Sequence, residues 1–162
     1  MAVSTVTDYR NRKADLLAFR GIFPHVTNKG QILAQELVRP GDGGALIAGI
    51  QKLSQKVLLI LLTKIGSRKY APSEGTTFML EAERGIWRTP ADVTQSFYAA
   101  RLDVSRQCRD SEAATDPLDE RWGSLDLEGV TLITDKVTLR LLLVSAAGAT
   151  YTFMTPITVP LK

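Results

Sequence analysis

The chain is poor in the residues that most often carry chemistry. Among 162 residues there is one cysteine, Cys108, and one histidine, His25. A lone cysteine allows no internal disulfide, which fits a reducing compartment. The two together cannot fill the four positions of a structural zinc site. A nucleophilic Cys–His pair would need Cys108, read as a semi-buried helix residue, to meet His25 in a turn after Pro24. No Gly-Lys-Ser/Thr phosphate loop, no Gly-x-Gly-x-x-Gly and no Gly-x-Ser-x-Gly occurs. No metal, cofactor or catalytic residue is therefore expected. The apolar stretch Val57 to Leu62 is far too short to span a bilayer. The N-terminus lacks the apolar core of a signal peptide. The expectation is a soluble, cytoplasmic chain without a membrane partner.

What is present is ordinary for a globular protein: 44% hydrophobic and 23% charged residues. The length suits one domain that buries roughly two thirds of its unfolded surface. The net charge is +3, and no Lys/Arg run exceeds two residues. That describes a solvated, slightly basic surface and does not call for nucleic acid.

The stretch from Leu46 to Met79 organises the rest. Leu46, Ile50, Leu53, Val57, Leu58, Ile60, Leu61 and Leu62 recur at helical spacing. Gln51, Lys52, Gln55 and Lys56 hold the opposite face at the start, so a helix over 43–63 begins amphipathic and ends apolar all round. Asp42 is its expected N-cap, after the break made by Pro40, Gly41, Gly43 and Gly44. The helix end must be enclosed by the sheet, the N-terminal segment or another chain. A loop punctuated by Gly66, Pro72 and Gly75 follows and carries Arg68, Lys69 and Tyr70. Two readings of it stand: Arg68 contacts an acidic partner surface, or the loop is solvated and its glycines supply positive φ.

The order Gly49-x-x-Lys52-Leu53-x-Gln55, Leu61-Leu62-Thr63-x-x-Gly66-Ser67-Arg68 and Pro72-x-x-Gly75-Thr76 resembles the small baseplate-wedge family of phage tails. The small wedge-like component of type VI secretion baseplates belongs to the same family. With the C-terminal half included, the resemblance covers roughly residues 43 to 157. It implies a structural virion component in the tail baseplate, assembled in the host cytoplasm in multiple copies around the tail axis. The implied partners are larger wedge proteins and the tail sheath or tube. The resemblance also implies a fold shared in part with the sheath protein, which could template sheath strands in a contractile tail. In the family, a Glu-Pro-Arg element contacts neighbouring wedge subunits. Here Glu83-Arg84 stands without the proline and is followed by Gly85. The expected partner-contact residues are Arg68, Lys69, Tyr70, Glu83, Arg84, Trp87 and Arg88. Arg68, Arg84, Trp87 and Arg88 read as exposed, and Arg and Trp are common interface anchors.

The flanking segments frame this centre. Residues 1 to 12 are polar and read as mobile. Ala14 to Ile22 reads as a short strand. Pro24, Asn28 and Gly30 mark a turn, and Gln31 to Val38 is a second strand of a hairpin or a short helical turn. This gives an N-terminal arm or hairpin over 1–42 before an α+β wedge-like domain over 43–162. Met79 to Trp87 is ambiguous. Thr89, Pro90 and Asp92 form a helix start with a capping box for a helix over 90–109. Its apolar stripe is Val93, Phe97, Ala100, Leu102, Val104 and Cys108. Asp110 to Asp119 is a loop, stapled to the core by Trp122. From Leu125 to Ile157, period-two alternation with turns at Thr134–Lys136 and Ala146–Gly148 predicts a three-stranded antiparallel meander. Gly129 shifts the phase and marks a bulge. Pro156 and Pro160 predict that the last strand lies at an edge. The fold class is α+β, with amphipathic helices on a small C-terminal antiparallel sheet.

Family members have been labelled lysozyme-like, so a peptidoglycan hydrolase is the alternative function. That chemistry needs two carboxylates facing across a sugar. Glu81 and Glu83 are the nearest pair; in a strand they would share a face, and in a helix they would not.

Overall fold

The computed structural model describes residues 16–17, 19–27, 30–37 and 46–159. Along them run β1 (Leu16–Leu17), β2 (Phe19–Thr27), β3 (Gly30–Leu37) and β4 (Leu46–Ile47), then α1 (Ile50–Leu62), α2 (Phe78–Glu83) and α3 (Pro90–Asp110). A 3-10 turn over Leu118–Glu120 leads into β5 (Trp122–Ile133), β6 (Lys136–Ser145) and β7 (Thr150–Thr158). The fold is α+β, as the sequence predicts. The expectations for residues 1 to 12, Asp42 and Pro160 lie outside the described residues.

The meander forms where alternation demands it. In β6, Val137, Leu139, Leu141 and Leu143 are buried and the residues between them are more open. β5 and β7 flank β6, both antiparallel, with Leu141 opposite Leu127 and Phe153. The register of β5 shifts between Leu127 and Gly129, which is the predicted bulge. After it, Val130 and Leu132 take up the inward phase and pack against the core.

The last strand is not at an edge. The sheet order is β3-β2-β7-β6-β5, and β2 joins β7 in parallel with His25 opposite Thr158. The edges are therefore β3 and β5. The N-terminal hairpin is antiparallel from Phe19 opposite Leu37 to Thr27 opposite Gly30. Its turn falls later than the sequence suggests. Pro24 sits inside β2 opposite Leu33, within the hairpin ladder rather than in its turn.

The helices cover one face of the sheet. α1 contributes Leu53, Val57, Leu61 and Leu62; α2 contributes Phe78, Met79 and Ala82; α3 contributes Val93, Phe97, Ala100, Val104 and Cys108. These close over Leu125, Leu139, Leu141, Leu143 and Ile157. Leu102, expected in the apolar stripe of α3, is 74% exposed. It lies two residues from Ala100, about 200° round the helix, on the opposite face.

α1 starts at Ile50 rather than at 43. Leu46 and Ile47 are paired as β4 with β1, and Gly49 at φ 65° ends that extended segment. The N-cap is Gly49, which has no side chain to cap with. Glu120 supplies the function: its Oε1 accepts from the Gly49 amide at 3.1 Å, and its Oε2 accepts from Lys52 Nζ at 3.0 Å. A carboxylate there also complements the helix dipole. α3 starts at Pro90 as predicted, with both halves of the Thr89/Asp92 capping box formed.

Candidate interaction site

The loop after α1 is locked at its neck. Thr63 ends the helix in extended geometry, and its hydroxyl donates to the Leu59 carbonyl. Lys64 bridges Thr76 in parallel, with the Ile65 amide donating to the Thr76 carbonyl at 3.0 Å. The Thr76 amide donates to the Thr63 carbonyl at 2.8 Å, and the buried Thr76 hydroxyl donates to the Leu61 carbonyl at 2.8 Å. Gly75 has φ 96°, and a Cβ there would lie 2.4 Å from the Thr63 carbonyl oxygen. No other residue fits that approach.

α3 holds the loop from the other side. The Gln107 amide makes a two-way clamp on Gly75: Oε1 accepts from the Gly75 amide at 2.9 Å, and Nε2 donates to its carbonyl at 2.8 Å. Within the loop, the Gly66 amide donates to the Pro72 carbonyl and the Glu74 amide to the Ala71 carbonyl. The outcome is a loop made of successive tied turns, in the manner of an Ω-loop.

Its tip is solvent-facing. Arg68 pairs with Glu74, both about half exposed, so the pair itself contributes little to stability. Tyr70 is 92% exposed, with Lys69 Nζ 5.6 Å from its ring centroid. A fully exposed aromatic on a rigid support is presented at low entropic cost for contact.

The other expected contact residues, Glu83, Arg84, Trp87 and Arg88, divide. Glu83, at the end of α2, accepts from Lys64 Nζ at 2.9 Å and so ties α2 to the loop neck. Its Oε1 is buried and accepts no hydrogen bond. Arg84 and Arg88 are exposed. Trp87 is a correction: it is 7% exposed, packs 4.4 Å from Phe78 between ring centroids, and donates from Nε1 to Ser96 Oγ at 3.0 Å. Burial of both its ring and its N–H makes it a core residue rather than a surface anchor.

The carboxylates considered for hydrolysis have other partners. α2 is a helix, so Glu81 and Glu83 diverge. Glu81 accepts from Ser96 Oγ and from Thr77 Oγ1, while Glu83 goes to Lys64. Of the loop acids, Glu112 accepts from the Trp122 amide and Asp116 from the Ala113 amide, and Glu120 caps α1. Each of the three therefore holds a backbone amide in place. Burial pushes the Cys108 thiol up to about 11, against a downward pull from Lys56, so it stays protonated at neutral pH. Among the described residues no cluster of three His, Cys, Asp or Glu could hold a metal, and no helix is long and apolar enough to cross a membrane.

No family model, curated protein or solved structure matches this chain. Gln107 and Glu120 escaped the sequence reading, since a single polar residue on a helix or in a loop does not announce a contact 32 or 71 positions away.

Proposed function

We propose that the chain is a structural subunit of a phage tail baseplate: a small wedge component that binds larger wedge proteins and helps join the baseplate to the tail tube or sheath. The observation that carries this reading is the locked loop of residues 64–76. It is pinned by Gly75, Thr76 and Gln107, yet presents Arg68, Lys69 and Tyr70 to solvent. Such preorganisation at an exposed aromatic tip lowers the entropic cost of docking, from which an interface anchor gains affinity. The same segment carries the wedge-like residue order from Gly49 to Thr76. Exposed Arg84 and Arg88 extend the surface, and Glu83 connects it to the loop through Lys64. Strand addition by a sheath protein, on this reading, uses the edge at β5 or β3, since β7 lies inside the sheet.

The test is co-purification with the larger wedge proteins encoded by neighbouring tail genes. The wild-type chain should co-migrate with them on size exclusion. The triple variant Arg68→Ala, Tyr70→Ala, Arg84→Ala should lose at least about tenfold in affinity, as anchor residues do. Its melting temperature should stay unchanged, because the three side chains are exposed. Full assembly by the variant would remove this surface from the interface. Clearing of a cell-wall suspension by the purified wild-type chain would instead favour the hydrolase.

A further inference from the structure

Beside the loop, α1 walls a groove of about 210 Å³. Lys56, Leu59, Ile60 and Thr63 line it from the helix, and Arg68 and Glu74 line it from the loop. The helix positions are spaced by three and four residues, so they form one stripe. Leu59 and Ile60 remain half-buried, while Val57, Leu61 and Leu62 are fully buried in the core. Apolar surface on α1 is therefore left over once the core is filled.

The charge along this stripe is unbalanced. Lys52 pairs with Glu120, and Arg68 pairs with Glu74. Among the described residues no carboxylate pairs with Lys56, which is half-buried at the groove wall. An occupant that covers Leu59 and Ile60 also strips water from Lys56. An uncharged occupant would leave a desolvated, unpaired ammonium, which is costly. A carboxylate beside the apolar contact removes that cost.

We propose that the groove receives an acidic amphipathic segment of a partner protein. An apolar side chain of the segment seats on Leu59 and Ile60, and a flanking carboxylate pairs with Lys56 Nζ. This deepens the assembly reading and rests on it only in taking the occupant to be a protein. The size agrees: small-molecule sites usually span about 300–1,000 Å³, and this groove, at about 210 Å³, suits one or two anchoring side chains. The loop wall is fixed by the Gln107 clamp on Gly75, so the seat is formed before the partner arrives.

The test uses the full chain and two fluorescein-labelled helical peptides with the same leucine spacing. One carries Glu at the flanking positions and the other Lys; binding is read by fluorescence anisotropy. The Glu peptide should bind at least about tenfold more tightly. Lys56→Met, which keeps the apolar stem, should remove most of that preference. Lys56→Glu should invert it, a gain that only a folded groove can show. Equal binding of the two peptides, no binding of either, or an unchanged preference in both Lys56 variants overturns the proposal. A chain that keeps the Glu preference but fails to join the larger wedge proteins would sink the baseplate reading alone. A chain that assembles yet shows no preference would sink the groove alone.

Discussion

The two long helices of the described fold begin in opposite ways. α3 carries its own start: Thr89 Oγ1 accepts from the Asp92 amide at 3.2 Å, and Asp92 Oδ2 accepts from the Thr89 amide at 2.8 Å. Everything needed lies within four residues. α1 has a bare glycine at its N-cap and takes its capping carboxylate from Glu120, 71 residues later. One helix has its start signal within its own residues. The other depends for its cap on the segment between α3 and the sheet. α1 is therefore a product of tertiary structure, which suits a helix whose C-terminal end supports the exposed loop.

The largest expected effect comes from the packing of each helix. Leu61 on α1 is fully buried, and Leu61→Ala should cost about 2–5 kcal/mol in chemical denaturation. Leu102 on α3 is 74% exposed, and Leu102→Ala should stay within about 0.5 kcal/mol of wild type. An unchanged stability for Leu61→Ala would move that side chain from the core to the surface. The next effect concerns the borrowed cap. Glu120→Ala removes the acceptor of the buried Gly49 amide and the carboxylate seen 3.0 Å from Lys52 Nζ, and should cost about 1–3 kcal/mol. Glu120→Gln should cost less, since the amide oxygen can still accept from Gly49. Hydrogen exchange should localise the Glu120→Ala loss to the first turn of α1. If α3 exchanged faster instead, the assignment of the cap to α1 would fail.

The same contrast explains what could be read from the residues. The start of α3, the meander and the bulge at Gly129 are set by neighbours a few positions apart, and each was legible. The sequence places the start of α1 seven residues early because Leu46 fits the helical spacing and Asp42 reads as an N-cap. Pairing with Leu16 and Leu17 claims Leu46 and Ile47 for β4. Pro156 and Pro160 disfavour pairing and so point to an edge for β7, and nothing local announces that β2 joins it. Trp87 lies among arginines and a glycine and so reads as surface, yet Phe78 and Ser96 bury it. The apolar run Val57 to Leu62 carries no phase, so the open positions Leu59 and Ile60 could not be told from the buried ones. Of the candidate surface, the tip residues Arg68, Lys69 and Tyr70 were legible as a loop. The clamp that makes them rigid was not.

The smallest effect isolates the local cap of α3. The Asp92 carboxyl is held below its usual 3.8, chiefly by the hydrogen bond with the Thr89 side chain, then by the Thr89 and Arg88 amides and the Arg88 charge. A depressed folded value means that the ionised form is favoured by folding. That contribution is complete above the unfolded value of about 3.8 and is lost as pH falls through the lower folded value. Asp92→Asn keeps the shape and one acceptor but cannot ionise. Wild type should therefore melt above Asp92→Asn at pH 6, and the gap should narrow as pH falls below about 4. The gap should also be smaller than that between wild type and Glu120→Ala, because Asp92 is solvated and Glu120 is not. A gap that stays constant from pH 6 to pH 3 would mean that the Asp92 charge contributes nothing to the start of α3. The hydroxyl of Thr89 would then be the whole of the local cap.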